Sequence, residues 1–328
     1  MALLLTACGG DKDAYTIQGT TSQADGTTVN LQDRDQQVLA EATVKGGSFK
    51  LTGKCDSVID VRLMIGEGIA LPLILEPANM TIDVENLTVT GSVMNSDYCL
   101  LQHTVNHLRE ELGRGADEDS IDQVYLDLIT DIEHRNAGNL MGLKMANELV
   151  SELNAVEADS LLNAHELYRN DERLALYVNA KTAEMATSAG CKYVDIKGVN
   201  AKTGVEMSLS EVLAEGLPVI VDFWASWCGP CRREISKYLS DYAQIYYGRC
   251  NFVGIAVWEE DIENTRKAMG ELPISWPVIY ASQEGNNPTD QYGIMGIPQI
   301  ILIAPDGTIV ARDLRGEAIA DAIDDVAP

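Results

Sequence analysis

Long apolar runs and basic residues are both scarce in this 328-residue sequence. No stretch of about 18 consecutive apolar residues occurs, so we expect no membrane-spanning helix. Lysine and arginine total 24 against 50 aspartates and glutamates, which gives a formal net charge of −26. A surface of that sign repels phosphate backbones, so we expect no nucleic-acid binding, and solubility is the simplest role for the charge.

Histidine is also rare, with four in the chain and none between residues 166 and 328. His103 and His107 have the spacing of two metal ligands on one helix face, but the pattern offers no third ligand. We therefore expect no metal ion, and we expect no cofactor.

Residues 14–92 carry the alternation of apolar and polar side chains that is typical of half-buried strands. Val61, Leu63 and Ile65 are one such run, and turn signals such as Asp25-Gly26 separate the runs. This pattern predicts a small antiparallel β domain resembling a sandwich. It contains no motif that indicates catalysis, so its expected role is recognition, spacing or dimerisation.

Residues 93–190 change to helical periodicity. One apolar stripe begins at Ile121, after an N-cap candidate at Ser120, and similar stripes follow it. We predict a helical connector between the β domain and a third domain at residues 191–328.

The third domain contains a cysteine pair between a strand and a helix. The run from Pro218 to Ala225 is almost entirely apolar, as in a strand covered on both faces, and Cys228-Gly-Pro-Cys231 follows it. Such a pair could belong to a zinc site, a structural disulfide or a redox couple. A thiolate at a helix N-terminus is stabilised by the helix dipole and by unpaired N–H groups, which favours the redox reading with Cys228 as the attacking sulfur.

The string from Val219 to Glu234, VIVDFWASWCGPCRRE, resembles the active-site strand and helix of the thioredoxin superfamily, and most closely its TlpA/ResA-type envelope branch. The resemblance implies an α/β thioredoxin-like domain at 191–328, with a central mixed sheet flanked by helices. Asn251–Val257 fits its next parallel strand, and a closing hairpin is expected around Asp306-Gly307. The implied activity is that of a thiol-disulfide oxidoreductase of the protein-disulfide reductase type.

The resemblance also implies roles for individual residues. Cys228 attacks a substrate disulfide, Cys231 resolves the mixed disulfide, and Asp222 exchanges protons with Cys231. Pro298, in a cis peptide bond after Ile297, packs against the dithiol. The residues expected to contact substrate are Trp227, Gly229, Pro230 and Ile297.

Three further features of the sequence bear on the redox potential, the fit to substrate and the shape of the helix. Glycine and proline between the cysteines, with no histidine in the module, favour the reducing end of the family's range. Gln299 stands where relatives often have threonine, which predicts an altered fit to substrate. Ser236 stands where many relatives have a proline, which predicts a straighter helix.

The first 13 residues resemble the end of a lipoprotein signal, with Cys8 as the lipidated residue. The β domain likewise resembles one found ahead of thioredoxin modules in lipoproteins of Bacteroides-type bacteria. These resemblances imply a periplasmic or cell-envelope protein attached to a membrane by a lipid anchor. Its implied partners are envelope proteins that carry disulfides and a membrane-embedded thiol transporter that donates electrons.

Two alternatives stay open at this point. The protein could be a lipid-anchored binding protein in which the dithiol is secondary, whereas a peroxidase is disfavoured because no cysteine lies in a Pro/Thr-rich loop. The remaining cysteines are most simply buried thiols, although a further disulfide among them is possible: Cys55, Cys99, Cys191 and Cys250.

Overall fold

The computed structural model describes residues 13–281 and 287–327, and the chain forms two compact units. The first unit comprises the residues up to 153 together with 160–174, and the second comprises 154–159 and 175 onward. The domain boundaries expected after residues 13, 92 and 190 stay predictions. Cys8 lies outside the described residues.

The β-rich part of the first unit is a sandwich of two four-stranded sheets, whose inner faces share one apolar core. Its strands are β1 (Ala14–Thr20), β2 (Thr28–Gln32), β3 (Val38–Thr43), β4 (Ser48–Lys54), β5 (Ile59–Ile65), β6 (Ile69–Leu75), β7 (Asn79–Asp83) and β8 (Thr88–Thr90). The sheet orders are β4-β1-β7-β8 and β3-β2-β5-β6. β1 and β7 pair in parallel, so the prediction of an antiparallel domain was wrong for that pair. Period-two alternation identifies the buried face of a strand but not its neighbour.

The helices that follow β8 are α1 (Val93–Gly113), α2 (Glu118–Arg135), α3 (Leu140–Leu149), α4 (Ala155–Ala164), α5 (Glu166–Arg169) and α6 (Glu172–Ala186). Helices α1, α2, α3 and α5 belong to the first unit, whereas α4 and α6 are divided between the two units. Ile74 of β6 is buried among apolar side chains of α1 to α3, so β6 is covered on both faces. The N-cap of α2 is Asp117, not Ser120. The Asp117 carboxylate accepts the Ser120 N–H at 3.0 Å, and a carboxylate is favoured at the positive end of a helix.

The second unit contains a seven-stranded mixed sheet with helices on both faces, which confirms the predicted fold class. Its strands are β9 (Lys197–Asn200), β10 (Glu206–Ser208), β11 (Val219–Trp224), β12 (Asn251–Ala256), β13 (Val278–Tyr280), β14 (Gln299–Ile303) and β15 (Ile309–Ala311), in the order β10-β9-β13-β12-β11-β14-β15. Its remaining helices are α7 (Leu209–Leu213), α8 (Gly229–Glu234), α9 (Ser240–Ile245), α10 (Ile262–Glu271), α11 (Pro288–Tyr292) and α12 (Glu317–Val326). β11 lies in the interior of the sheet, between β12, to which it is parallel, and β14, to which it is antiparallel.

The helix that follows the cysteine pair is not a regular α-helix. A π-helical turn, Ile235–Leu239, separates α8 from α9 and contains Ser236. The straighter helix predicted from a serine at this position is therefore not found. Wide turns of this kind often occur near functional sites.

Across residues 13–281 and 287–327, the helices are all too short or too polar to cross a membrane.

Candidate active site

The cysteine pair lies just after the end of β11, an interior strand of the sheet. All six residues of β11 are buried, because neighbouring strands pair with both of its edges and apolar layers cover both of its faces. Ile220 and Trp224 belong to the same apolar cluster as Cys228 and Cys231, whereas Val221 belongs to the opposite cluster. Asp222, by the alternation of a strand, lies on the face with the cysteines.

Cys228 and Cys231 form a disulfide with an S–S distance of 1.98 Å. Cys228 is the N-cap of α8, and its Sγ lies 3.1 Å from the backbone nitrogen of Cys231. Pro230 occupies the first turn, where a missing N–H costs no helical hydrogen bond. Cys228 is 4% exposed and Cys231 is fully buried, so an incoming sulfur atom reaches Cys228 first.

The peptide bond between Ile297 and Pro298 is cis and lies against the disulfide. The Sγ of Cys228 is 3.9 Å from the carbonyl oxygen of Ile297. The carbonyl oxygen of Pro298 accepts a hydrogen bond from the guanidinium of Arg315. Gln299, the next residue, is buried at the start of β14, and its predicted effect on substrate fit stays a prediction.

Asp222 is a buried carboxyl group without a hydrogen-bond partner among the described residues. Its pKa is raised to about 8, mainly by burial and also by the nearby Glu234 carboxylate, while the Arg315 guanidinium opposes the rise. A group with a pKa near neutrality can both release and accept a proton at physiological pH. Asp222 therefore has the chemistry of a proton carrier behind the disulfide.

The surface around the disulfide is partly aromatic. Trp227 is 62% exposed, and its indole Nε1 donates to the carbonyl oxygen of Trp258 at 3.0 Å. Gly229 and Pro230 are also exposed, and Ile297 is half-buried. The four residues predicted to contact substrate thus all lie beside the disulfide.

The other cysteines in the described part of the chain are free thiols, which answers the question of a further disulfide there. Cys55 and Cys250 are buried, and burial raises the pKa of Cys250 to about 12. Cys99 and Cys191 are only partly buried, in contrast to the expectation of fully buried thiols.

The sequence matches two family models, the AhpC/TSA family at residues 189–312 and a domain of unknown function, DUF4369, at residues 15–98. The thiol:disulfide interchange protein CycY of Rhizobium leguminosarum bv. viciae is 30% identical over 130 residues, which are 40% of this chain and 67% of CycY. The chain belongs to the thioredoxin-like family of thiol:disulfide oxidoreductases. The resemblance predicted from residues 219–234 is thereby confirmed at the level of the family.

Further members of the family are similar over comparable lengths. The thiol-disulfide oxidoreductase ResA of Bacillus subtilis is 28% identical over 109 residues, 33% of this chain and 57% of ResA. Among solved structures, the thioredoxin domain of a thiol-disulfide oxidoreductase from Bacteroides vulgatus is 28% identical, with a TM-score of 0.40, and the match covers 43% of this chain and 99% of that domain. A thiol:disulfide interchange protein from Bacteroides sp. is 29% identical with a TM-score of 0.40, over 44% of this chain and 92% of that protein.

Three charged residues near the disulfide were not predicted from the sequence: Glu234, Glu259 and Arg315. Glu234 could have been predicted from the sequence, because it lies one helical turn after Cys231. Its carboxylate accepts the N–H of Gly316, next to Arg315. Glu259 and Arg315 lie far from the cysteines in sequence, and only the fold brings them to the site.

Proposed function

We propose that this protein is a thiol-disulfide oxidoreductase that reduces disulfide bonds in proteins of the cell envelope through Cys228 and Cys231. The observation that carries the proposal is the disulfide at the N-terminus of α8, beside the buried Asp222 carboxyl and the cis peptide bond before Pro298. A purely structural disulfide needs neither a proton carrier nor an exposed tryptophan beside it.

The reaction begins with the reduced dithiol. The Cys228 thiolate attacks one sulfur of a substrate disulfide, that S–S bond breaks, and a mixed disulfide forms while the first substrate thiolate leaves and is protonated. Asp222, as the carboxylate, takes the proton of the Cys231 thiol. The Cys231 thiolate then attacks the Cys228 sulfur and displaces the second substrate thiolate. Two electrons have passed to the substrate, and the Cys228–Cys231 disulfide remains.

A reducing direction is supported by the residues between the cysteines. Thioredoxin is poised at about −270 mV and a strong oxidant of the same fold at about −120 mV. Gly229 and Pro230, without a histidine, favour a potential near the lower value. Each turnover then requires a dithiol donor to restore the cysteines, and we assign this role to a membrane-embedded thiol transporter.

The proposed location is the cell envelope, with lipid attached at Cys8. The support is the apolar and small-residue sequence before Cys8 and the resemblance to envelope lipoproteins. The β-rich and helical parts of residues 14–190 are proposed to select or orient the substrate.

The test is reduction of insulin by dithiothreitol, with Cys231→Ser as a trap for cellular partners. The wild type is expected to accelerate insulin reduction, and Cys228→Ser to abolish the acceleration. Cys231→Ser should accumulate mixed disulfides, because the resolving thiol is missing. No acceleration by the wild type, together with an empty trap, would sink the proposal. A potential near −120 mV against glutathione would overturn the reducing direction alone.

A further inference from the structure

Trp258 and Glu259, in the loop after β12, form hydrogen bonds with the segment that precedes Cys228. The hydroxyl of Ser226 donates to Oε2 of Glu259 at 2.8 Å, and the N–H of Ser226 donates to Oε1. The indole of Trp227 donates to the carbonyl oxygen of Trp258. Both oxygens of one buried carboxylate are thus bonded to the residue two positions before Cys228.

The burial of Glu259 and the backbone conformation of Trp258 are both energetically unfavourable by themselves. Glu259 is only 9% exposed, and burying a carboxylate is unfavourable unless hydrogen bonds compensate, as the two from Ser226 do. Trp258 has φ +53°, a left-handed conformation that is uncommon for a bulky residue. Such conformations concentrate at functional sites, where the surroundings hold them.

Ser226 is also held from the opposite side. Nη1 of Arg232 in α8 donates to the Ser226 carbonyl oxygen at 3.2 Å, and Nη2 of Arg232 donates to Glu271 at 2.8 Å. The N–H, the hydroxyl and the carbonyl of Ser226 are therefore all bonded. The chain then reaches Cys228, whose N–H donates to Ala225 at 3.1 Å.

We infer that Glu259 is a positioning residue of the dithiol site, which fixes Ser226 and Trp227 so that the Cys228 sulfur and the indole meet a substrate in one orientation. The inference rests on the proposed function for its meaning in turnover. Attack on a disulfide requires aligned sulfur atoms, and small misplacements of a reacting group cost large factors in rate. The same anchorage keeps the Cys228 sulfur at the N-terminus of α8, where a thiolate is stabilised.

The experiment compares four variants of the full chain: Glu259→Ala, Glu259→Gln, Ser226→Ala and the control Glu260→Ala. Glu259→Ala leaves Ser226 without its partner, and we expect kcat/KM for insulin to fall roughly tenfold to a hundredfold. Ser226→Ala keeps the N–H contact and should give a smaller loss. Glutamine can accept the Ser226 N–H and donate to the hydroxyl, so Glu259→Gln should restore most of the rate. Glu260 is exposed and next in sequence, so its variant controls for the loss of one charge.

A second readout does not depend on insulin being a substrate. The pH midpoint for alkylation of Cys228 in the reduced protein should be about half a unit higher in Glu259→Ala than in Glu259→Gln. Both variants lose the carboxylate charge, but only the alanine variant also loses the hydrogen bonds that hold the sulfur at the helix N-terminus. The midpoint should stay near the wild-type value in Glu260→Ala. Thermal unfolding identifies any variant that fails to fold.

Equal midpoints in Glu259→Ala and Glu259→Gln, together with an unchanged insulin rate in Glu259→Ala, would overturn the inference. So would a Glu259→Gln variant as impaired as Glu259→Ala, because charge rather than position would then carry the effect. If the wild type does not reduce insulin, the proposed function fails, and the alkylation midpoint alone decides the role of Glu259.

Discussion

The buried position of Asp222 is the main cause of the raised pKa of its carboxyl group. Its carboxyl occupies the dithiol face of a fully buried strand, where the charged form loses its hydration and gains no hydrogen bond. The pKa of about 8 expresses that loss. In the proposed mechanism this carboxyl carries the proton, and its raised pKa lowers the stability of the protein in alkaline conditions.

The raised pKa of Asp222 predicts how the free energy of unfolding depends on pH. The folded-state pKa of Asp222 is raised from 3.8 to about 8, so the folded protein binds the proton more tightly than the unfolded chain does. This contribution therefore lowers the free energy of unfolding as the pH rises from about 4 to 8, by an amount on the order of 5 kcal/mol at most. Asp222→Asn cannot ionise and should flatten that slope in urea titrations between pH 5 and 9, while slowing resolution of the mixed disulfide.

A matched control is Asp241→Asn, which removes the same charge from an exposed position in α9. We expect this variant to keep the wild-type slope. Equal slopes for Asp222→Asn and the wild type would mean that Asp222 is already ionised in the folded protein at pH 5, contrary to its buried position.

At the scale of elements, the last turns of α6 pack closely against the end of α11. Gly293 ends α11 with φ +65°, and a methyl group on it would overlap the carbonyl oxygen of Ala180 and the backbone nitrogen of Glu184. The two helices therefore approach each other through backbone atoms, a distance that only glycine permits.

Gly293→Ala should consequently destabilise the protein by more than the strain of its backbone alone. The control is Gly216→Ala, at φ +77° with no atom near the added methyl group. Gly216→Ala is expected to cost about 1–2 kcal/mol from the left-handed conformation. Gly293→Ala should cost roughly 1–3 kcal/mol more because of the overlap. Equal midpoints for the two variants in urea denaturation would disprove the close approach.

The elements that the sequence predicts well are those whose signal is local. β11, β12 and the hairpin of β14 and β15 follow from continuous apolar runs and from the Asp306-Gly307 turn. The cysteine pair and Asp222 could be predicted for the same reason, because a single segment contains them.

The features that escaped prediction depend on distant or competing residues. The parallel pairing of β1 with β7 requires knowledge of the partner strand. Asp117 outcompetes Ser120 as the cap of α2, although both residue types cap helices. Glu259 and Arg315 appear in sequence as ordinary surface charges, and their partners lie on other elements.

At the scale of the whole molecule, the second unit begins before the predicted domain boundary at residue 191. Half-buried Arg312 donates to the carbonyl oxygen of Thr187 at 2.9 Å and to that of Tyr292 at 2.8 Å. It also contacts the Thr187 hydroxyl, and the N–H of Gly190 donates to Ile309 at 2.8 Å. Thr187 and Gly190, which follow α6, are thus hydrogen-bonded to the end of the sheet of the second unit.

A fragment of residues 175–328 should therefore be more stable than one of residues 191–328. The shorter fragment leaves the Arg312 guanidinium without its Thr187 partners, and hydrogen bonds to charged groups contribute about 1.5–3 kcal/mol each, so we expect a difference of roughly 3 kcal/mol in urea denaturation. Arg312→Met provides the control, because it should destabilise the longer fragment clearly and the shorter one much less. Equal stabilities of the two fragments, or equal effects of Arg312→Met in both, would instead support a domain that begins at residue 191.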